Sequence, residues 1–226
     1  MKNSMTAKSV IFDFDGVIIN SHDIQMKALK AAYEEAVGIS EPPYDEFFMH
    51  SGDSLENIFK KLELPLIMVS TYREISRKSI HLVKLHEGMV ELLERLNKAK
   101  IKCGLCTGKD RIRTIEMLGY LKIHTFFDYI VCSDDVVKPK PDIECLEKAL
   151  QYLNSDFGSS VMVGDGINDI LCAKGMNLPS IAVSWGDVCV EDLKRYNPDY
   201  IVNTVDELDM AIVKILKLSD VHSNSK

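Results

Sequence analysis

The sequence lacks any apolar run approaching the ~20 residues a membrane-spanning helix needs, so no membrane partner is expected. It also lacks the surplus of Lys and Arg that neutralising nucleic-acid phosphates demands. The chain carries 27 basic against 34 acidic residues, a formal net charge of −7, and no nucleic-acid partner is expected. Residues 1–8 hold no apolar stretch followed by a small-residue cleavage site, so no secretory signal is expected. The six cysteines are then expected to be reduced in a cytoplasmic protein rather than paired in a disulfide framework. Internal repeats and low-complexity segments are missing as well.

What is present is the composition of a soluble globular protein, 46% hydrophobic and 27% charged. A chain of 226 residues suits one large domain, or one domain with a small companion, and buries enough core to need no staples. Short apolar runs recur at residues 9–14, 101–106, 129–132, 160–163, 181–183 and 200–202. Their Val and Ile fall on successive positions rather than alternating, which suits strands of a parallel sheet covered on both faces. Helical spacing lies between them: Met89, Leu92, Leu93 and Leu96; then Ile112, Ile115 and Leu118, with Asp110 as cap and Gly119 as stop. Pro141 stands where a third helix would begin, ahead of Cys145, Leu146, Ala149, Leu150 and Leu153. The alternation predicts an α/β fold, a Rossmann-like parallel sheet with right-handed crossovers.

Residues 21–85 interrupt the alternation. They read as helices, with Ile24, Ala28, Ala31 and Ala32 on one face, then Leu55, Ile58, Phe59 and Leu62, then Ile75 and Ile80, and no strand among them. An all-helical insertion is expected there, in a discontinuous core of residues 1–20 and 86–226.

Four motifs follow four of the expected strands. Asp13-x-Asp15-Gly16 closes the first, and residues two apart in an extended chain face one side. Two carboxylates so placed suit a hard divalent cation such as Mg²⁺, with Gly16 turning the chain away; a capped turn with two solvated acids is the plainer alternative. Thr107-Gly108 offers a hydroxyl and free backbone N–H groups to phosphate oxygens, or is an ordinary exit from a strand. In Lys138-Pro139-Lys140-Pro141 two prolines stiffen the loop, so a Lys there could stand as a fixed charge for a phosphoryl group, or the loop could simply be solvated and start a helix. Gly164-Asp165-Gly166-Ile167-Asn168-Asp169 brings two more acids; Asp165 or Asp169 could complete an oxygen shell, and Asp169 could instead cap a helix or hold Lys138. Cys103-x-x-Cys106 imitates a redox or zinc pair, but its side chains would face opposite sides of a strand, so both read as apolar filler. The scattered His22, His81, His86 and His124 form no nucleophile–base set, Trp185 suits core or lid, and the polar tail 219–226 is expected to fray.

Together, in this order at strand ends, the motifs resemble the haloacid dehalogenase superfamily of phosphotransferases. The likeness is closest in residues 10–17, at Lys138-Pro139-Lys140-Pro141 and at Val163-Gly164-Asp165. Val183-Ser184-Trp185-Gly186 and Pro198-Asp199-Tyr200-Ile201, with Glu207-Leu208, resemble the phosphoglycolate phosphatase-like subgroup, which carries a helical cap after the first motif. The resemblance implies a Mg²⁺-dependent phosphatase of small phosphorylated metabolites, a monomer or dimer. It implies Asp13 as nucleophile, Asp15 as acid and base, and Asp13, the Asp15 carbonyl and Asp165 on Mg²⁺, with Asp169 in support. Thr107, Gly108 and Lys138 would take the phosphoryl oxygens. The acid at Asp15 favours phosphoryl over halide substrates. A β-phosphoglucomutase-like sugar phosphomutase is the alternative, weakened because Gln25 stands where such relatives carry His and the loop His50-Ser51-Gly52-Asp53 holds no Arg. A non-catalytic binding protein is a third reading. Gln25, His50, Ser51 and Arg73 are the candidate substrate contacts. A metal and a lysine would make one cationic pocket in an acidic protein, which reconciles the net charge with an anionic ligand.

Overall fold

The computed structural model describes residues 6–218, so the expected fraying of residues 219–226 lies outside the described residues. Strand β1 (Ser9–Phe12) is fully buried. It pairs in parallel with β4 (Lys102–Cys106) on one side and β6 (Ser160–Gly164) on the other, Phe12 standing opposite both Leu105 and Val163. With β5 (Tyr129–Val131), β7 (Ser180–Val183) and β8 (Tyr200–Val202) they form one parallel sheet in the order β5-β4-β1-β6-β7-β8. The chain adds strands to one side of β1, then crosses to the other. The crevice at the carboxyl end of β1 is the switch point where such sheets bind ligands.

Pleating sends successive side chains to opposite faces. Val10 and Phe12 pack with α5 (Met89–Lys98) and α9 (Val205–Ile215), through Leu93, Leu96, Leu208 and Ile212. Ile11 packs the other way, with Leu146 and Ala149 of α7 (Glu144–Leu153) and Cys172 and Ala173 of α8 (Ile167–Gly175). Cys103 falls in the first cluster and Cys106 in the second, on opposite faces as their spacing requires, and all six cysteines are free thiols.

The interruption at 21–85 is helical: α1 (His22–Ala36), α2 (Tyr44–Met49), α3 (Leu55–Lys61) and α4 (Met68–Lys78). These helices close on their own apolar cluster of Ala28, Leu29, Ala32, Phe47, Phe48, Leu55, Ile58, Phe59, Met68 and Tyr72. One expectation fails here: a strand is present, β3 (Lys84–Leu85), antiparallel to β2 (Ile19–Asn20). Two residues, neither fully buried in β3, leave no periodicity to read.

Helix α6 (Arg111–Tyr120) corrects a second expectation. Its Asp110 cap is as expected, the side chain accepting from Arg113 N. However, Ile112 is 64% exposed, while Thr114, Met117 and Leu118 are buried. The two isoleucines share helical spacing on the outward face, Ile112 the more exposed and Ile115 partly covered. Gly119 does not stop the helix, which runs through to Tyr120, and the helix expected from Pro141 begins at Glu144. Among the described residues no helix is long and apolar enough to cross a membrane.

Candidate active site

Asp13 follows β1 directly, its N–H donating to the Val163 carbonyl at 2.8 Å. The side chain is 2% exposed and Oδ1 accepts from Lys140 Nζ at 2.8 Å. Burial is the main force pushing the Asp13 carboxyl up to about 7; Asp169 and Asp15 add to it, and Lys140 opposes it. Asp15 lies beyond the strand end yet lines the same cavity. Its Oδ1 accepts from Ser21 Oγ at 2.5 Å and its Oδ2 is 3.1 Å from Lys109 Nζ. Gly16 turns the chain with φ +72°, and a Cβ there would overlap the Asp165 carboxylate.

Asp165 arrives from the β6–α8 turn and Asp169 from the first turn of α8, each 1% exposed. Asp169 Oδ2 accepts from Gly166 N at 3.1 Å, capping α8, while Oδ1 accepts from Lys140 Nζ at 2.5 Å. Asp165 Oδ2 accepts from Asp187 N at 3.2 Å, but its Oδ1 is buried without a partner among the described residues. Burial, reinforced by Asp13, Asp169 and Asp187, pushes the Asp165 carboxyl well above its usual range. Carboxylate oxygens of Asp13, Asp165 and Asp169 lie within 4.8 Å of one another, all three buried. Three buried acids against one lysine, with one oxygen unsatisfied, form an oxygen-only donor set that fits a hard divalent cation.

Lys140 is 2% exposed, and its ammonium spends all three donors: on Asp13, on Asp169 and on the Cys106 carbonyl at 2.9 Å. Thr107, 5% exposed, directly follows β4, its hydroxyl accepting from Lys109 N at 3.2 Å. At Gly108 a Cβ would collide with the Asp53 carbonyl, so the loop after α2 rests directly on the core there. Asn168 fastens that loop, Nδ2 donating to the His50 and Ser51 carbonyls at 3.1 and 2.9 Å.

The family model of the haloacid dehalogenase-like hydrolases matches residues 10–183. The chain belongs to that family. Pyrophosphatase PpaX of Bacillus mycoides is 30% identical to this hydrolase over 208 residues, covering 90% of this chain and 96% of its own. PpaX of Bacillus anthracis is 30% identical over 222 residues, covering 96% and 99%. Among solved structures, the predicted phosphatase of Clostridium acetobutylicum superposes with a TM-score of 0.82 at 26% identity, covering 92% of this chain and 99% of its own. A haloacid dehalogenase-like hydrolase of Streptococcus pneumoniae gives 0.78 at 27% identity, covering 91% and 98%.

In this hydrolase the structure gathers Asp13, Asp15, Thr107, Gly108, Asp165 and Asp169 at one sheet edge, and Gln25 and Ser51 line the cavity above them. It does not bring Lys138 there. Lys138 is exposed, and the Glu144 carboxylate holds the backbone N–H groups of Val137 and Lys138, both at 2.9 Å, on the outer side of the loop. The buried lysine is Lys140. The stiffening argument applied to it with more force, since prolines flank it on both sides. Asp169 accordingly holds Lys140 rather than Lys138. Arg73 also stays out of the cavity, its guanidinium spent on Glu56 at 2.8 Å and Asp110 at 3.0 Å. His50 contributes a carbonyl to Asn168, and its side chain does not line the cavity. Sequence reasoning missed Lys109 and Arg113, which do line it. Lys109 stands two residues after Thr107, as Asp15 stands two after Asp13, and that spacing was the available signal.

Proposed function

We propose that this hydrolase is a Mg²⁺-dependent phosphohydrolase of a small phosphorylated metabolite, working through an aspartyl-phosphate on Asp13. The observation that carries the proposal is the Lys140 ammonium bridging Asp13 and Asp169 beside the unpartnered Asp165 oxygen. Lys140 favours the ionised form of Asp13 and fixes Oδ1, which leaves Oδ2 as the nucleophile. As the Oδ2–P bond forms, the bond from phosphorus to the leaving oxygen breaks, and Asp15 gives that oxygen its proton. Asp15 then takes a proton from water as the water oxygen attacks phosphorus, releasing inorganic phosphate and restoring the Asp13 carboxylate. The Thr107 hydroxyl and the N–H of Gly108 are offered to the phosphoryl oxygens, as positioning in phosphoryl transfer requires. Asp13, the Asp15 carbonyl and Asp165 would hold Mg²⁺, which supplies positive charge against the phosphoryl oxygens, while Asp169 keeps Lys140 in place.

Hydrolysis is favoured over phosphoryl isomerisation at Gln25. Its Nε2 donates to Ser21 Oγ at 3.1 Å, and an amide there cannot shuttle a proton to an incoming hydroxyl. Inorganic pyrophosphate is the second reading, favoured by the PpaX relatives, which match nearly the full chain. The test is phosphate release from a panel of phosphorylated metabolites and pyrophosphate. Release with Mg²⁺, its loss with EDTA and its abolition in Asp13→Asn are expected. Full activity in Asp13→Asn would end the aspartyl-phosphate proposal.

A further inference from the structure

Asp165 is gripped by a segment without a part in the steps above, residues 184–187 after β7. At Gly186 a Cβ would lie 2.2 Å from the Asp165 Cβ, so this backbone rests directly on the acid. The Asp187 N–H donates to Asp165 Oδ2 at 3.2 Å, which leaves Oδ1 as the oxygen without a partner among the described residues. Trp185 pins one end of the segment, its Nε1 donating to the Val17 carbonyl at 3.3 Å. The Asp187 carboxylate pins the other. Its Oδ1 accepts from Nδ1 of His22, the first residue of α1, at 2.6 Å. The His22 ring in turn stacks on Phe48 of α2, with centroids 4.6 Å apart and planes at 20°. Through His22 and Asp187 the helical insertion thus reaches the backbone that orients a candidate metal ligand.

The His22 side chain is 47% exposed, and an ion pair at a surface adds little stability by itself. Asp187 is the sensitive partner. Its side chain is only 12% exposed, and His22 is the one group that donates to its carboxylate among the described residues. Asp15 and Asp165 both act on it as like charges. A carboxylate so covered and so repelled needs a donor or must turn out to water. Turning out would draw the Asp187 N–H away from Asp165. We propose that His22 is a positioning residue of the cation site: by holding Asp187 it keeps that N–H on Asp165 Oδ2 and leaves Oδ1 to Mg²⁺, so the insertion contributes to metal affinity. This rests on the Mg²⁺ reading above. Such coupling is reciprocal, so Mg²⁺ in turn strengthens the hold of α1 on the core.

The rise of melting temperature with Mg²⁺ concentration reads the affinity of the full chain without catalysis. In His22→Ala the Mg²⁺ Kd is expected to rise about tenfold, the lower end for losing an outer support of a metal ligand. His22→Asn, whose amide can donate from nearly the place of Nδ1, keeps most of the affinity. Asp187→Ala retains the backbone N–H but offers His22 nothing to hold, and in that background His22→Ala adds no further loss. The sign separates positioning from charge. A His22 acting only as a cation would repel Mg²⁺, and its removal would lower the Kd. A Kd lowered or unchanged in His22→Ala overturns the inference, as does a full tenfold loss in the Asp187→Ala background. An equal loss in Arg77→Ala overturns it too, because that variant cuts the ion pair of α4 with Glu116 of α6 and leaves His22 in place. No Mg²⁺ binding by the wild-type chain overturns the metal reading beneath it instead. His22→Leu, which keeps an apolar contact for Phe48, substitutes where His22→Ala does not fold.

Discussion

Lys140 and Lys138 stand two residues apart in one loop and have opposite surroundings: one spends every donor on buried oxygens, the other is exposed. Lys140→Ala is therefore expected to cut kcat by about 10²–10³, the usual loss for one preorganised charge at a reacting centre. Lys138→Ala should stay within about twofold. Steady-state phosphate release compares the two, and the reverse ranking would show that the buried lysine is structural. Asp13 gives a pH prediction. Its folded-state value of about 7 lies above the ordinary 3.8, so without metal the folded protein binds this proton more tightly than the unfolded chain does. Its contribution to stability then falls as pH rises from about 4 to about 7, by at most about 1.4 kcal/mol per pH unit. Asp13→Asn escapes that loss. In EDTA the melting temperature of Asp13→Asn minus that of wild type should grow from pH 5 to pH 7.5, and a constant difference would refute the shift. Asp13, Asp15, Thr107, Gly108, Asp165 and Asp169, which meet at the core site, all came from short motifs that follow strands, where residue type and place constrain each other. The lysine was misplaced although Lys140 alone has a proline on each side, because which way each lysine faces depends on contacts outside the motif, such as Glu144, six residues after Lys138, which holds the Lys138 N–H.

At the scale of elements, the loop of residues 50–53 is held on the core by a missing side chain as much as by a bond. Gly108→Val would place a branched side chain against the Asp53 carbonyl and lift the loop from the cavity. It should lower kcat/KM by about 10²-fold, as misplacing a positioning element does, while thermal unfolding changes far less. Equal losses in both would mean that the contact serves stability alone. Inside the helical insertion, Phe59→Ala should cost about 3–5 kcal/mol in urea unfolding, because Phe59 is fully buried among Phe47, Leu55 and Tyr72. The sheet strands were legible in sequence because both faces are covered, so every residue in them except the exposed Lys102 that opens β4 is apolar or small. The face of α6 was not. Burial of Thr114 and Arg113 depends on Asp110, which accepts from the Thr114 and Arg113 side chains through its backbone and carboxylate oxygens, and no apolar pattern records such contacts. Helix α2 and strand β3 were missed because they are too short to show a period.

For the whole molecule, the charge of −7 and the local cationic wall act at different ranges. An approaching anion feels the net charge first and the lysines only within the Debye length, about 10 Å at 0.1 M salt. Raising ionic strength from about 0.02 to 0.2 M should therefore leave KM for an anionic substrate flat or lower it, against the usual sense of electrostatic steering. A steep rise in KM would mean that the local field dominates at long range. The paired β2 and β3, where the chain enters and leaves the helical insertion, bear on how the protein reaches this state. β1 emerges early in synthesis but its partners β4 and β6 come long afterwards, so the central pairing must wait on a large loop closure. Four helices with their own apolar cluster can form locally in the interval, and the antiparallel ribbon brings residues 20 and 84 together. The long closure then shrinks to a short one. Weakening the interior of the insertion should therefore slow the assembly of a sheet it does not belong to, read as a slower refolding rate in Phe59→Ala.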